Sequence, residues 1–331
     1  NMENSTSQYL TSMDHALCIT FWVIAVVSFV LNLLFAIVIA RKPSMLKRPH
    51  NILLFSLAIT DMLTGVFLLA TPGYAIPTSE YPVPLGLRGE IFCRLLANRY
   101  ILFALGKVSI LLVACLAIER WYCVLRPFKY KHQFKRRRTI LYVAITFMIT
   151  CILSMNKLFE TSLHGSKCVT DKAPYGIDGT RVFVIAYSFV AFYFPCLVTW
   201  LTFAHIMRNL PSSPGESAES VNKRRRQRLL LRMCAVTAAA LTVCGFPSQT
   251  NYILSSFGIT EVKSPLHKMF NVLVFFNSCM NPMIYCLTNK DYRKEFKRLL
   301  GCHRGNEISP ETDHGTTLHL EQAEKDKEIT S

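Results

Sequence analysis

Residues 17–40 read LCITFWVIAVVSFVLNLLFAIVIA and contain no Asp, Glu, Lys or Arg. A helix needs about 20 apolar residues to cross the hydrocarbon core of a bilayer, so this run predicts a membrane-spanning helix. Five more runs have the same character: 51–76, 139–156, 182–207, 233–260 and 269–288. Asp61 is the only Asp, Glu, Lys or Arg in these six runs.

A seventh apolar run, 95–118, is interrupted by Arg99 and Lys107. Its other residues are apolar enough to be buried among neighbouring helices, and we interpret it as the third span. The sequence therefore predicts an all-α integral membrane protein with a bundle of seven transmembrane helices over 17–288. Residues 289–300 are basic and amphipathic, which predicts a short eighth helix on the membrane surface.

The orientation follows from the basic residues near the ends of the spans. Clusters of Lys and Arg lie at 41–48, 126–138, 223–228 and 293–298, and the rule that such loops are cytoplasmic places all four on one side. We therefore expect a plasma-membrane protein with residues 1–16 as an extracellular tail and 301–331 as a disordered cytoplasmic tail. Asn4 opens an Asn-Ser-Thr glycosylation motif on the predicted outer side.

Composition excludes several classes of protein. The chain of 331 residues is 51% hydrophobic and 18% charged, which is too apolar for an ordinary soluble domain. Its net charge of +16 is divided among the segments between apolar runs, so it predicts contact with membrane lipids and an acidic protein partner and no nucleic-acid binding. The sequence contains no HExxH, CxxC or GxSxG motif, and we predict no enzymatic activity.

Three motifs lie inside or at the ends of the spans. Residues 281–285 read NPMIY, where a proline permits a local bend in the seventh helix. Residues 119–121 read ERW and close the third span, whereas residues 56–61 read SLAITD and put a carboxylate near mid-membrane. Together these motifs resemble the rhodopsin-like family of G-protein-coupled receptors, with a likeness to its peptide receptors, and the resemblance extends over 17–302.

The resemblance implies roles for particular residues. It implies a switch for a heterotrimeric G protein formed by Glu119, Arg120, Trp121, Asn281, Pro282 and Tyr285. It implies a sodium site at Asp61, Ser109, Asn277 and Ser278, whose oxygen atoms suit a hard cation. It also implies a disulfide between Cys93 and Cys168, palmitoylation of Cys302, and arrestin as a further partner of the C-terminal tail.

This sequence also departs from the family pattern. Gly245 replaces the usual tryptophan of the sixth span and is expected to leave a space, and Phe203 replaces a tyrosine of the fifth. Gln227 stands where many relatives place an acid that restrains the arginine. The interval from Cys93 to Arg120 is longer than usual in the family.

Lys107 admits three readings. It lies 13 residues before Arg120, which is about 20 Å along a helix, so it cannot reach the cytoplasmic surface. Its ammonium group could form an ion pair with Asp61 in place of sodium, bind an anionic ligand, or extend outward along its own helix.

The leading functional hypothesis is a receptor that binds an extracellular ligand and activates a G protein. The predicted ligand pocket contains Arg99, Lys107, Gln249, Tyr252, Asn271 and Phe275. This mixture suits a peptide first and an anionic small molecule or lipid next, although such side chains also join helices to one another. The alternatives are an ion or proton transporter or channel, for which buried Asp61 and Lys107 are suited, and a decoy receptor that does not signal.

Overall fold

The structure, a computed structural model, describes residues 2–78, 81–170, 176–209, 218–262 and 264–301, with side chains from Met13 onward except those of 218–223. Seven segments of this part of the chain are long and apolar enough to cross a membrane: Met13–Ala40, Pro49–Ala70, Gly86–Leu125, Arg136–Phe159, Gly176–Arg208, Arg224–Ser256 and Pro265–Thr288. They form the predicted seven-helix bundle. The Asn4 side chain, Cys302 and the rest of the tail lie outside the described residues.

The helices are α1 (Met2–Ala40), α2 (Pro43–Leu46), α3 (Pro49–Ala70), α4 (Gly86–Phe92), α5 (Tyr100–Leu125), α6 (Pro127–Gln133), α7 (Arg136–Leu153), α8 (Asn156–Phe159), α9 (Gly176–Ser188), α10 (Phe194–Arg208), α11 (Ala218–Ser256), α12 (Pro265–Thr288) and α13 (Lys290–Leu299). Two π-helical turns, Cys93–Ala97 and Phe189–Tyr193, lie within the third and fifth spans. Strands β1 (Thr161–His164) and β2 (Lys167–Thr170) form an antiparallel hairpin.

Proline sets the start of several helices. Pro49, Pro127 and Pro265 occupy the first turns of α3, α6 and α12, where a missing N–H costs nothing. The hydroxyl of Ser264 also caps α12 by accepting a hydrogen bond from the His267 backbone N–H. The short C-terminal helix predicted after the seventh span is present as α13. Its Tyr292 is buried and donates a hydrogen bond of 2.6 Å to Asn51.

The predicted third span is present as Gly86–Leu125, and its first part is irregular. It begins at α4, passes through the π-helical turn at Cys93–Ala97, and turns sharply at Arg99 before α5 starts. Arg99 has φ of 61°, in the left-handed region that side chains other than glycine rarely adopt. The longer interval between Cys93 and Arg120 therefore contains both a π-helical turn and this kink.

The β-hairpin is tied to the outer part of the third span. Cys93 and Cys168 form the predicted disulfide. The Leu163 N–H donates to the Glu90 carboxylate at 2.8 Å, and Arg94 pairs with the same Glu90 at 2.6 Å. The hairpin is therefore fixed over one end of the bundle, which we call the hairpin end.

The bundle core contains positions where helices approach closely. At Gly65 of α3, a Cβ atom would lie 2.6 Å from the carbonyl oxygen of Ala25 in α1. Gly106 of α5 is different, because a Cβ there would meet nothing within 4 Å. The first two spans can therefore pack as they do only with glycine at 65.

We expect Gly65→Ala to destabilise the purified chain by about 1–3 kcal/mol, because the added methyl group must push two backbones apart. Gly106→Ala is the matched control and is expected to leave the thermal unfolding midpoint unchanged or slightly raised, since alanine favours a helix. Thermal unfolding in detergent, followed by intrinsic fluorescence, measures both variants. Equal midpoints for the two would contradict the close approach of α1 and α3.

Candidate functional site

A cavity of about 440 Å³ opens beneath the β-hairpin. Four residues of the predicted ligand pocket line it: Arg99, Lys107, Gln249 and Tyr252. Phe275 instead lines a smaller cavity of about 70 Å³ that lies deeper in the bundle. Asn271 is buried and lines neither cavity, because its side-chain oxygen accepts a hydrogen bond from Ser248.

Three cations face the cavity. The Arg99 guanidinium lies 4.8 Å from the centre of the Tyr74 ring, and the Lys107 ammonium lies 4.8 Å from that of Tyr187. Lys157, which the sequence did not single out, also lines the cavity and pairs with Glu160 at 2.6 Å. Among the described residues that line this cavity none is acidic, so its electrostatic potential favours an anionic group.

The position of Lys107 argues against two of its three readings, the ion pair with Asp61 and the extension outward along its own helix. Its Nζ lies 3.4 Å from the Phe103 carbonyl oxygen and over aromatic rings, and within the described part of the chain it forms no ion pair with Asp61. The side chain is buried inside the bundle with 8% of its surface exposed, so it does not extend to the membrane surface. The geometry therefore favours the ligand reading over the internal ion pair.

Asp61 is fully buried, and two of its hydrogen-bond partners, Ser109 and Ser278, line the smaller cavity. Its Oδ1 accepts hydrogen bonds from Ser109 at 3.1 Å and Ser278 at 3.0 Å, whereas its Oδ2 accepts one from Asn281 at 2.7 Å. The side-chain oxygen of Asn277 is buried nearby without a hydrogen-bond partner among the described residues. These oxygen donors fit a small monovalent cation, because one carboxylate and neutral oxygens can surround it.

Another buried charge, Arg120, lies near the end of the third span that is farther from the hairpin. Arg120 is 2% exposed and forms two hydrogen bonds of 2.5 Å with the carboxylate of Glu119. Tyr130 of α6 donates a further hydrogen bond of 2.6 Å to Glu119. Burial, together with the charge of Glu119, raises the pKa of Tyr130, so its hydroxyl remains a donor at neutral pH.

The neighbours of Arg120 join other helices. The Trp121 ring nitrogen donates to Nδ1 of His205 in α10 at 2.7 Å, which links the third and fifth spans. Gln227 of α11 approaches the Cys123 sulfur at 4.0 Å and gives Arg120 no charged partner. Glu119 and Tyr130, rather than a residue of the sixth span, therefore hold the buried arginine.

The motif at 281–285 contacts the buried carboxylate of Asp61 through its first residue. Pro282 lies inside α12, and Asn281 reaches back to Asp61. The Tyr285 hydroxyl is buried and lacks a hydrogen-bond partner among the described residues, as does the hydroxyl of Thr237 in α11. Tyr285 thus keeps an unused polar group at the interface between the sixth and seventh spans.

Gly245 lines the smaller cavity, but the space expected beside it is only partly open. A Cβ atom at this position would lie 2.6 Å from Cε2 of Phe192, which belongs to the π-helical turn of the fifth span. The Phe192 ring therefore occupies the volume that a larger residue at 245 would need. The ring also lines the smaller cavity, between the cavity beneath the β-hairpin and Asp61.

Three functional candidates were missed in the sequence: Lys157, Tyr130 and Phe192. Lys157 follows the fourth apolar run and appeared to be an ordinary residue at a span boundary. Tyr130 lies in a basic loop, although Pro127 indicates that a helix starts there. No sequence pattern distinguishes Phe192 from the other phenylalanines of the fifth run.

A seven-helix bundle with a disulfide-tied hairpin over a polar cavity, and a buried arginine at its other end, defines a membrane receptor. The family model described as "7 transmembrane receptor (rhodopsin family)" matches residues 31–285, and the chain belongs to this family. Its members are signalling receptors rather than enzymes, and the protein is a multi-pass protein of the plasma membrane.

Several relatives align along most of this chain. Neuromedin-U receptor 2 of Mus musculus is 27% identical, over 91% of this chain and 82% of its own length. The QRFP-like peptide receptor of Branchiostoma floridae is 24% identical, over 92% and 83% respectively. The 5-hydroxytryptamine receptor 4 of Rattus norvegicus is also 24% identical, over 90% and 79%.

Gly245→Ala is expected to lower the thermal unfolding midpoint of the receptor, at a cost of about 1–3 kcal/mol, because the new methyl group overlaps the Phe192 ring. Phe192→Leu removes the atoms that are overlapped. The double variant should therefore be more stable than the sum of the two single effects by about 0.5–3 kcal/mol. Strict additivity in this double-mutant cycle would show that the two residues do not compete for one space.

Proposed function

We propose that this chain is a G-protein-coupled receptor for an extracellular peptide that presents an acidic group to Arg99 and Lys107, beside Lys157, which is paired with Glu160. The observation that carries the proposal is the cavity of about 440 Å³ at the hairpin end, which three cations face and which no acidic side chain of the described residues lines. A cavity of this size can enclose a small molecule or the end of a peptide. A carboxylate of either would pair with a guanidinium group through two hydrogen bonds.

The relatives support a peptide over an amine. Two of those compared are named as a neuromedin-U receptor and a QRFP-like peptide receptor, whereas one is named for an amine, 5-hydroxytryptamine. An amine in this cavity would meet cations rather than a carboxylate. A small anionic molecule or lipid shares the required charge, and a screen with both classes of ligand separates it from a peptide.

The cavity lies on the extracellular side in this proposal. The clusters of basic residues lie beyond the ends of the spans opposite the hairpin, and such clusters remain in the cytoplasm. The N-terminus is then outside and the C-terminus inside. Arg120 faces the cytoplasm, where a heterotrimeric G protein would bind.

Activation requires the Arg120 side chain to leave Glu119. A ligand that binds better when the helices are open shifts the population toward the open form. In the closed form Tyr130 holds the Glu119 carboxylate, which in turn holds Arg120. Breaking this chain of contacts would free the guanidinium to contact the G protein.

We also propose that sodium stabilises the closed form at Asp61. Its carboxylate, the hydroxyl groups of Ser109 and Ser278 and the unpaired oxygen of Asn277 would bind the ion. Bound sodium would neutralise a carboxylate that is costly to bury. Lys107 cannot replace it without leaving the aromatic rings on which it rests.

The hydrogen bond from Tyr130 to Glu119 is expected to limit G-protein activation in the absence of ligand. Tyr130→Phe removes one hydrogen bond from the closed form, a net contribution of about 0.5–1.5 kcal/mol, and should raise ligand-independent activation about 2- to 12-fold. Adding Arg120→Ala to this variant should abolish the signal. Biosensors for several classes of G protein, read at equal surface expression, measure both effects and identify the class.

Arg126→Ala is the matched control, because it removes an exposed arginine six residues beyond Arg120. It should reduce the signal less than Arg120→Ala does. If Tyr130→Phe gives no signal with any biosensor, and a screen of peptides and anionic lipids also gives none, the chain is a decoy receptor that binds without signalling.

In this proposal Lys107 contributes to ligand binding and Asp61 to sodium binding, so substitutions at the two residues should have different effects. Lys107→Met should weaken the response to an acidic agonist at least 10-fold, since it removes a buried charge-assisted contact. It should leave unchanged the rise in thermal unfolding midpoint that sodium gives over N-methylglucamine at equal ionic strength. Asp61→Asn should abolish that rise. Sodium dependence that appears in Lys107→Met but is absent in the wild type would overturn this assignment and support the internal ion pair.

A further inference from the structure

The largest of the cavities described lies on the outer surface of the bundle rather than inside it. It is a groove of about 510 Å³ between the third, fourth and fifth spans, and neither the ligand cavity nor the arginine switch includes it. Apolar side chains form most of its wall, including Leu111, Ala114, Ile118, Ile145, Ile149 and Val198. Ile149 is 41% exposed, so the groove opens toward the hydrocarbon of the membrane.

The groove has a polar end and an apolar end. Along the fourth span its wall runs from Tyr142 to Leu153, which is about 16 Å at 1.5 Å per residue. This length is about half of the hydrocarbon thickness and therefore one leaflet. Gln133 lines the groove beside Tyr142, whose hydroxyl donates to the Gln133 carbonyl at 3.2 Å. In the proposed orientation this polar end lies at the cytoplasmic surface.

Basic side chains stand at the polar end of the groove. Arg138 donates a hydrogen bond of 2.8 Å to the His132 carbonyl and lies 3.5 Å from the Gln133 side-chain oxygen. Lys135 precedes Arg138 by three residues, and Arg138 precedes groove-lining Tyr142 by four. Residues four apart share one face of a helix, so Arg138 lies on the groove side of α7 with Tyr142. Lys135 is the extended N-cap residue just before the first turn, at the same end of the helix as the polar end of the groove. Arg136 and Arg137 lie on other faces.

We propose that this groove binds one acyl chain of an anionic glycerophospholipid from the inner leaflet, with the phosphate group held by Lys135 and Arg138. The apolar wall matches the chain, its length matches one leaflet, and the bases match the charge of the head group. Each of the two bases contributes about a five-fold gain in affinity near a membrane surface.

The groove also touches the aromatic side chains that support the switch. Phe134 lines the groove and lies 5.6 Å, between ring centres, from both Tyr122 and Tyr130. Tyr130 in turn donates its hydrogen bond to Glu119. A lipid chain packed against Phe134 therefore braces α6 in the position that keeps Glu119 paired with Arg120.

Native mass spectrometry of the full-length chain, purified in detergent and titrated with dioleoyl-phosphatidylglycerol, tests the proposal. The wild type should retain this lipid, and Lys135→Gln with Arg138→Gln should weaken retention about 25-fold. Arg136→Gln with Arg137→Gln is the matched control, because it removes the same charge from the same turn, and it should retain the lipid. Equal loss in the two double variants would overturn the site.

Two more comparisons test the acyl chain. Dihexanoyl-phosphatidylglycerol has the same head group with short chains, and dioleoyl-phosphatidylcholine has the same chains without net charge; each should be retained at least 10-fold more weakly. Equal retention of either lipid would overturn the proposal. Ile149→Trp fills the groove and should abolish retention, whereas Met148→Trp, which is exposed but outside the groove wall, should not. Retention by Ile149→Trp equal to the wild type would place the chain elsewhere.

Discussion

The buried carboxylate of Asp61 is the constraint on which the rest of the bundle depends. A charged group at mid-membrane depth is costly unless its hydrogen bonds are satisfied, and Asp61 obtains them from Ser109 in the third span and from Ser278 and Asn281 in the seventh. Its own carbonyl accepts a bond from Ser28 of the first span. The Asp61 side chain therefore joins the second, third and seventh spans, and its backbone carbonyl adds the first, so the relative positions of the second, third and seventh spans are linked to its charge and ligands.

Two other buried charges, Lys107 and Arg120, lie on the third span in different environments. Lys107 rests on aromatic rings and faces a cavity, whereas Arg120 is held by Glu119 and, through it, by Tyr130. A cation that rests only on rings gains from an incoming anion. A cation already paired must lose its partner before it can bind elsewhere. The same helix thus carries a site prepared for a ligand at one end and a site that must be opened at the other.

Much of this arrangement could be predicted from sequence, because membrane spans and short motifs are local properties. The seven apolar runs follow from residue type and spacing, whereas the disulfide and the convergence of Asp61, Ser109 and Ser278 were implied by the resemblance to the receptor family. The kink at Arg99 could not be predicted, since it depends on how a longer third span fits beneath a hairpin tied to Cys93. Lys157 was missed because nothing in the sequence indicates that α8 turns it toward the cavity.

Residue 245 is glycine, and the Phe192 ring lies beside it. The fifth span, rather than the sixth, therefore supplies the aromatic ring between the proposed ligand cavity and Asp61. In the family pattern a tryptophan of the sixth span occupies this level, but here the ring belongs to the π-helical turn of the fifth. A ligand that presses on this ring acts first on the fifth span, whose inner end meets Trp121 through His205. In the proposed receptor the two halves are then coupled through the third and fifth helices, and the sixth is coupled to them both by Phe192, which packs against Gly245, and by Gln249 and Tyr252, which line the ligand cavity.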